Sequence, residues 1–160
     1  NGKDHTVSPW QLAWDGGSYY LIAYQDYSLP AGIRHYRVDR MSHVTVLRDQ
    51  PCRGKDLYEQ FSLPVYLNKH FNMYGGPEYR VTLRCTADLR DAMTDRFGRD
   101  IILIDDPDGG FHFTAPICVS GPFLGWVCGF EGKVTVVAPA EVRARLASLG
   151  RSLSAYTPEK

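Results

Sequence analysis

The sequence lacks the features of a membrane protein and of a disulfide-stabilised secreted domain. No apolar run approaches the length of about 20 residues that a membrane-spanning helix needs, and residues 1–10 lack the apolar core of a signal peptide. The four cysteines form no CxxC pair, and three of them lie in apolar surroundings, as reduced and mostly buried thiols do. We therefore expect a cytoplasmic protein with no membrane partner.

The chain also lacks an excess of either charge. Its 18 Lys and Arg residues balance 18 Asp and Glu residues, so the formal net charge is zero. This balance argues against a surface committed throughout to nucleic acid, but it permits a local basic patch. The apolar content of 44% and the length of 160 residues suit one ordinary globular domain or two small ones.

Motifs of the common catalytic and metal sites are missing. The sequence contains no GxSxG, GxxxxGK[ST] or HExxH motif. The segment DDPDGG at 105–110 lacks the terminal glutamate of a calcium loop and lies between two predicted strands, so it predicts a hairpin turn. The histidines stand singly along the chain, at His5, His35, His43, His70 and His112. We expect no catalytic residue, no metal site and no cofactor.

The first third of the chain has the pattern of short antiparallel strands. Aromatic and β-branched residues or apolar–polar alternation predict strands over 7–14, 18–26, 33–40 and 41–50, with a turn at the DGG of 15–17. Four short strands with short turns indicate a small antiparallel barrel or a strongly bent sheet. Residues 51–77 then have helix-like spacing interrupted by Pro64, which predicts one or two short helices that bridge two modules.

The remainder of the chain alternates strands and helices. Strands are predicted over 78–86, 100–105, 111–119 and 133–139, and helices over 87–97, 121–130 and 140–156. The order β-α-β-β-α-β-α is that of a ferredoxin-like split βαβ sandwich. We therefore predict an α+β protein with domains at 1–50 and 78–160 and a helical linker at 51–77.

The best candidates for binding are arginines close to aromatic residues in the predicted third strand. Arg34, Arg37 and Arg40 surround His35 and Tyr36, and guanidinium groups beside rings suit phosphate contacts and base stacking. The pattern alone leaves open the alternative of three solvated arginines on a two-sided strand.

The neighbours of these arginines add two expectations. Strict alternation mixes core and charge on one face, so we expect a bulge or a strand end near residues 38–40. We also expect Asp39 to pair with a neighbouring arginine and not to act as a base. In the second predicted strand, alternation places Tyr19 on one face and Tyr20 and Tyr24 on the other.

Three motifs in this order resemble the WYL domain of bacterial transcription regulators. They are Pro9-Trp10, Tyr19-Tyr20-Leu21 and the segment RHYRVDR at 34–40. Tyr19 stands where the family has tryptophan, and both residues are amphipathic aromatics. The second half is similar to the WCX extension that often follows WYL domains, so the resemblance covers nearly the whole chain.

The resemblance implies an Sm-like or SH3-like β-barrel that senses a ligand, with single-stranded nucleic acid or a nucleotide as the leading candidates. It also implies a homodimer and a DNA-binding domain upstream of these 160 residues that recognises promoter DNA. An oligomerisation module without its own ligand is the alternative. For the WCX-like part, Arg80 and Arg84 lie on the polar face of the first strand, where a solvated face is the alternative to a ligand or subunit contact. The ligand contacts implied by the WYL motifs are Tyr20, Arg34, Tyr36, Arg37 and Arg40, with Ser8, Pro9 and Trp10 as a neighbouring wall.

Overall fold

The structure is a computed structural model that describes residues 4–26 and 31–153. It divides into two compact units, residues 1–66 and 67–160. The first contains a three-stranded antiparallel sheet, and the second contains a four-stranded antiparallel sheet with helices. The chain is thus α+β, as predicted, whereas the predicted domain limits stay a prediction.

The sheet of the first unit is formed by three consecutive strands. They are β1 (Ser8–Asp15), β2 (Ser18–Gln25) and β3 (Gly32–Arg37), in the order β1-β2-β3. Gly16 and Gly17 form the tight turn between β1 and β2, and both have a positive φ that glycine adopts without steric cost. The predicted turn is therefore confirmed.

The third strand ends where the charge pattern predicted, but the fourth predicted strand is wrong. β3 stops at Arg37, and Val38–Arg40 form a single 3-10 turn. Residues 41–50 contain no strand: His43 has a φ of 54°, which breaks the extended run, and Val44 and Val46 are 75% and 76% exposed. Three strands are seen in the described part of this unit, so closure into a barrel stays a prediction.

Two short helices follow, as the spacing predicted. They are α1 (Lys55–Glu59) and α2 (Leu63–Lys69). Pro64 lies in the first turn of α2, where its missing N–H costs no hydrogen bond, so it starts this helix and does not interrupt one.

Five partly exposed aromatic rings pack together in the first unit. Trp10 stacks on Tyr24 with ring centroids 5.9 Å apart, and it also meets the ring of Phe61 at 5.4 Å. Offset-stacked and tilted rings at these distances attract each other in addition to burying apolar surface. We call this group the aromatic cluster; its members are Trp10, Tyr24, Tyr58, Phe61 and Tyr66.

The second unit has the predicted order of strands and helices. Its elements are β4 (Glu78–Cys85), α3 (Arg90–Phe97), β5 (Ile104–Asp105), β6 (Phe111–Cys118), α4 (Gly121–Cys128), β7 (Val134–Ala138) and α5 (Ala140–Leu153). The strand order is β5-β6-β4-β7, and every pair is antiparallel. β5 is shorter than predicted, and residues 154–156 of the predicted last helix lie outside the described residues.

Alternation along the strands builds the core of the second unit. Odd-numbered residues of β4 and β6 face inward and are buried, apart from the half-buried Tyr79, whereas Thr82, Arg84 and His112 face outward. Helices α3, α4 and α5 contribute further apolar side chains. The largest fully buried side chains are Phe111, Phe113, Phe123, Leu83, Met93 and Ile117, together with the smaller Val81, Val119 and Val142.

The cysteines are free, but only half of them are buried. Cys85 and Cys118 lie inside the second unit, whereas Cys52 and Cys128 are exposed, so the expectation of mostly buried thiols holds for two of the four. Burial raises the pKa of the Cys85 thiol to about 11, which keeps it protonated and unreactive at neutral pH. Across residues 4–26 and 31–153, no helix combines the length and the apolar character needed to cross a membrane.

Candidate ligand-binding site on the first sheet

The register of the first sheet divides the candidate residues between its two faces. Tyr20 of β2 lies directly opposite Arg37 of β3, so these two share one face. Arg34 lies opposite Ala23, and Tyr36 lies opposite Leu21, so Arg34 and Tyr36 share the other face. Alternation along β3 already places Arg34 and Arg37 on opposite faces, and the register adds that Tyr20 lies opposite Arg37.

On the first face, Arg37 forms a two-pronged ion pair with Asp39. Its Nε donates to Oδ1 at 3.0 Å, and its Nη2 donates to Oδ2 at 2.7 Å. This hydrogen bonding raises the pKa of Arg37 and lowers the pKa of the Asp39 carboxyl, so both groups are charged at neutral pH. The expected pairing of Asp39 with an arginine is confirmed.

On the second face, Tyr36 belongs to a chain of polar groups. Its hydroxyl donates to Gln25 Oε1 at 3.1 Å, and Gln25 Nε2 lies 3.4 Å from His5 Nδ1. The His5 ring lies 5.3 Å from the Tyr36 ring. Burial raises the pKa of Tyr36, and the nearby Arg34 opposes this rise, so the phenol stays a neutral donor.

Gln25 and His5 were not singled out from the sequence. The only signal was that Gln25, an amide, continues the alternation of β2 on the face of Leu21 and Ala23. Gln25 is buried, and a buried amide needs hydrogen-bond partners, so its environment could not be recognised without the fold.

The other predicted contacts have different surroundings. Arg40 is exposed in the 3-10 turn, where it adds to the field that lowers the pKa of Asp39. Ser8 Oγ accepts a hydrogen bond from the Arg53 backbone N–H at 2.7 Å, and Trp10 packs in the aromatic cluster. Roles of Ser8 and Trp10 in ligand binding stay predictions.

The strand that carries Arg34 and Arg37 is an edge strand. Within the described part of the chain, β3 pairs only with β2, and all six of its residues are half-buried. Among the described residues, no second strand covers the outer edge of β3.

In the second unit, Arg84 is engaged by the DDPDGG turn. Its Nε donates to Asp106 Oδ2 at 3.0 Å, and its Nη2 donates to Asp108. His112 Nδ1 lies 2.7 Å from the second oxygen of Asp106. The predicted hairpin turn is present, with the Asp106 N–H bonded to the Gly110 carbonyl, and its carboxylates partner the outward-facing Arg84.

Comparison with known proteins defines the class of both units. A model of the WYL domain matches residues 1–46, and a model of the WCX domain matches residues 77–154. The chain therefore carries a WYL domain followed by a WCX domain, as the motifs predicted. A search of the curated proteins gave no match.

Among solved structures, the chain is similar to proteasome accessory factor B/C (PafBC) of Arthrobacter aurescens. The identity is 21% and the TM-score is 0.42, and the match covers 96% of this chain. The chain spans 23% of the length of that protein. This likeness is too low to transfer the role of PafBC to this chain.

Proposed function

We propose that this chain is the ligand-sensing region of a WYL-type transcription regulator. Its effector is a phosphate-bearing molecule, single-stranded nucleic acid or a nucleotide, and it binds along β3. Binding makes and breaks no covalent bond. It shifts the population of subunit arrangements in a homodimer and so controls a DNA-binding domain upstream.

The observation that carries this proposal is the pairing of arginine and tyrosine on each face of β3. Arg34 accompanies Tyr36 on one face, and Arg37 lies opposite Tyr20 on the other. Guanidinium groups bind phosphate oxygens in a planar fork, and tyrosine rings stack on bases or donate a hydroxyl hydrogen bond. The WYL and WCX matches support the same reading.

The division of the arginines favours a single strand over a mononucleotide. An extended ligand that follows the edge of β3 reaches Arg34 on one face and Arg37 on the other. A mononucleotide is too small to contact both faces at once, so it depends on one arginine only. Loss of affinity on substitution of either arginine therefore indicates a single-stranded ligand, whereas loss on substitution of only one indicates a mononucleotide.

Binding of fluorescein-labelled oligothymidylate and of labelled nucleoside monophosphates, followed by anisotropy over a range of salt, tests the proposal. We expect Arg34→Ala and Arg37→Ala each to weaken oligothymidylate binding and to reduce the salt slope by about 0.7 per lost phosphate contact. Arg48→Ala is the matched control, since Arg48 is exposed and forms no ion pair with any described residue. Equal affinity and equal salt dependence in all variants would refute the proposal.

The finer fold assignments are part of the same proposal. The strand order β5-β6-β4-β7 with helices after β4 and β6 supports a ferredoxin-like module in the second unit. The WYL match supports an Sm-like barrel that includes β1, β2 and β3.

An oligomerisation module remains the second candidate, and one feature of the hairpin favours it. Leu12, Trp14 and Tyr19 lie on one face at the end of the β1–β2 hairpin, and each is more than half exposed. Exposed apolar neighbours of this kind are typical of protein contacts. Sedimentation of Trp14→Ser separates the two functions: loss of a dimer with unchanged oligothymidylate binding assigns the hairpin to assembly and β3 to the ligand.

A further inference from the structure

We propose that Asp39 is a positioning residue: it holds the Arg37 guanidinium from the side, so that the opposite end of the group faces a phosphate of the ligand. This inference rests on the proposed function and names a residue that the ligand itself does not touch.

The donors of Arg37 are divided between two directions. A guanidinium has five N–H groups, and the Asp39 carboxylate occupies the Nε–H and one Nη2–H, at 3.0 and 2.7 Å. The second Nη2–H and the two Nη1–H groups remain, and two of them form the end-on fork. Elsewhere in residues 4–26 and 31–153, no group accepts a hydrogen bond from Arg37. The end-on fork matches two oxygens of one phosphate.

The backbone explains why Asp39 reaches the side of the guanidinium. β3 ends at Arg37, and the chain turns at once into the 3-10 turn of Val38–Arg40. In a continued strand, Arg37 and Asp39 would point the same way about 7 Å apart along the chain. The turn shortens this separation, so the carboxylate meets the guanidinium in a two-pronged contact.

The carboxylate does not neutralise the anion site. Arg37 and Arg40 supply two positive charges around the single negative charge of Asp39, and both arginines lower the pKa of its carboxyl. One positive charge is left over for a phosphate. Arg37 and Asp39 both reach solvent, so a ligand has access to the end of the guanidinium.

The sign of one mutational effect separates positioning from simple charge attraction. Removing a carboxylate beside an anion site raises affinity when only net charge matters. We expect the reverse for Asp39→Ala, a loss of about fivefold or more in affinity for oligothymidylate, because the guanidinium loses its fixed orientation. Asp39→Asn keeps the shape and one acceptor oxygen, so we expect a smaller loss.

The experiment measures oligothymidylate binding by anisotropy for wild type, Asp39→Ala, Asp39→Asn, Arg37→Ala and the Asp39→Ala/Arg37→Ala double variant. In the Arg37→Ala background, we expect no further effect of Asp39→Ala. Asp49→Asn is the control, since Asp49 is an exposed carboxylate in the loop after the turn. Unchanged or increased affinity in Asp39→Ala overturns the positioning role and leaves the proposed function intact.

A second readout needs no ligand. In ¹H–¹⁵N spectra of the arginine side chains, the Nε–H signal of Arg37 is expected to exchange slowly with solvent in wild type and fast in Asp39→Ala, with no change in Asp49→Asn. Fast exchange in wild type would contradict the side-on contact. If the Arg37 Nε–H exchanges slowly but wild type binds no oligothymidylate, Arg37 does not contact a phosphate of such a ligand. That result would overturn both this inference and the proposed function.

Discussion

At the scale of single residues, the three tyrosines of β2 have three different environments. Tyr19 is exposed beside Trp14, with ring centroids 4.7 Å apart, and Tyr20 faces Arg37. Tyr24 packs in the aromatic cluster against Trp10. Alternation predicted the face of each ring correctly, but it did not separate Tyr20 from Tyr24. Gly54 also lies against the ring of Tyr24, and that contact arises only in the folded chain.

Gly54 offers a test of how tightly this cluster is packed. Its φ is 74°, and an added Cβ would lie 2.6 Å from Cγ of Tyr24. Gly54→Ala therefore combines a left-handed backbone cost of about 1–2 kcal/mol with an overpacking cost of about 1–3 kcal/mol. We expect Gly54→Ala to lower the free energy of unfolding by the sum of these two costs, as measured by urea unfolding followed by tryptophan fluorescence.

Gly17→Ala is the matched control for this variant. Gly17 has a similar φ of 79°, but nothing lies within 4 Å of an added Cβ, so only the backbone cost applies. Equal losses in the two variants would show that the ring of Tyr24 yields without cost.

At the scale of elements, the strongest patterns predicted the structure and the weakest did not. Strands β4 and β6 alternate strictly over eight residues, and both formed with their apolar residues buried. Residues 41–50 also alternate, yet they form no strand. A strand exists only where a neighbour accepts its hydrogen bonds, and a single sequence does not reveal that neighbour.

Helix α4 is the element whose packing is most directly testable. Phe123 is fully buried, and its ring lies 5.2 Å from that of Phe71 and 6.3 Å from that of Trp126. We expect Phe123→Ala to lower the free energy of unfolding by about 3–5 kcal/mol, because the lost ring leaves a cavity. Urea unfolding followed by circular dichroism measures this change.

Ile102→Ala is the control in the same unit. Its side chain is exposed, so the expected change stays within about 0.5 kcal/mol. A small loss for Phe123→Ala would mean that the second core repacks around the cavity.

At the scale of the whole molecule, the net charge of zero does not show where individual ion pairs form. Lys133 Nζ lies 2.8 Å from Asp88 Oδ2, and Arg84 pairs with both Asp106 and Asp108. The Asp88–Lys133 and Arg84–Asp108 pairs are exposed, so each contributes little to stability and is weakened by salt. Composition therefore excluded a uniformly basic protein but did not indicate where single charges matter.

The Asp88–Lys133 pair predicts a pH dependence of stability. Hydrogen bonds from Lys133 and Thr86 lower the pKa of Asp88 in the folded chain. The contribution of ionised Asp88 to the stability of the fold is therefore complete above its pKa in the unfolded chain, about 3.9. This contribution is lost as the pH falls through the lower pKa that Asp88 has in the folded chain. We expect Lys133→Met to lower the melting temperature slightly near pH 7 and to have no effect in acid well below pH ~4, as measured by circular dichroism.

Arg80→Met serves as the comparison for this charge change. Arg80 is exposed on β4 and forms no ion pair with the described residues. We therefore expect the change in melting temperature caused by Arg80→Met not to vary with the protonation of Asp88. A constant difference between wild type and Lys133→Met from pH 7 into acid would argue against a role of Asp88.

The sequence by itself determined the order of elements in the second unit, the faces of the strands and the WYL and WCX motifs. These properties follow from local periodicity and from residue types that stand close together in the chain. The tertiary structure alone decided which residues meet: the register placed Tyr20 opposite Arg37, and the turn after β3 brought Asp39 to the side of Arg37. Strand pairing and side-chain contacts depend on groups that are distant in sequence, and their geometry exists only when the chain is folded.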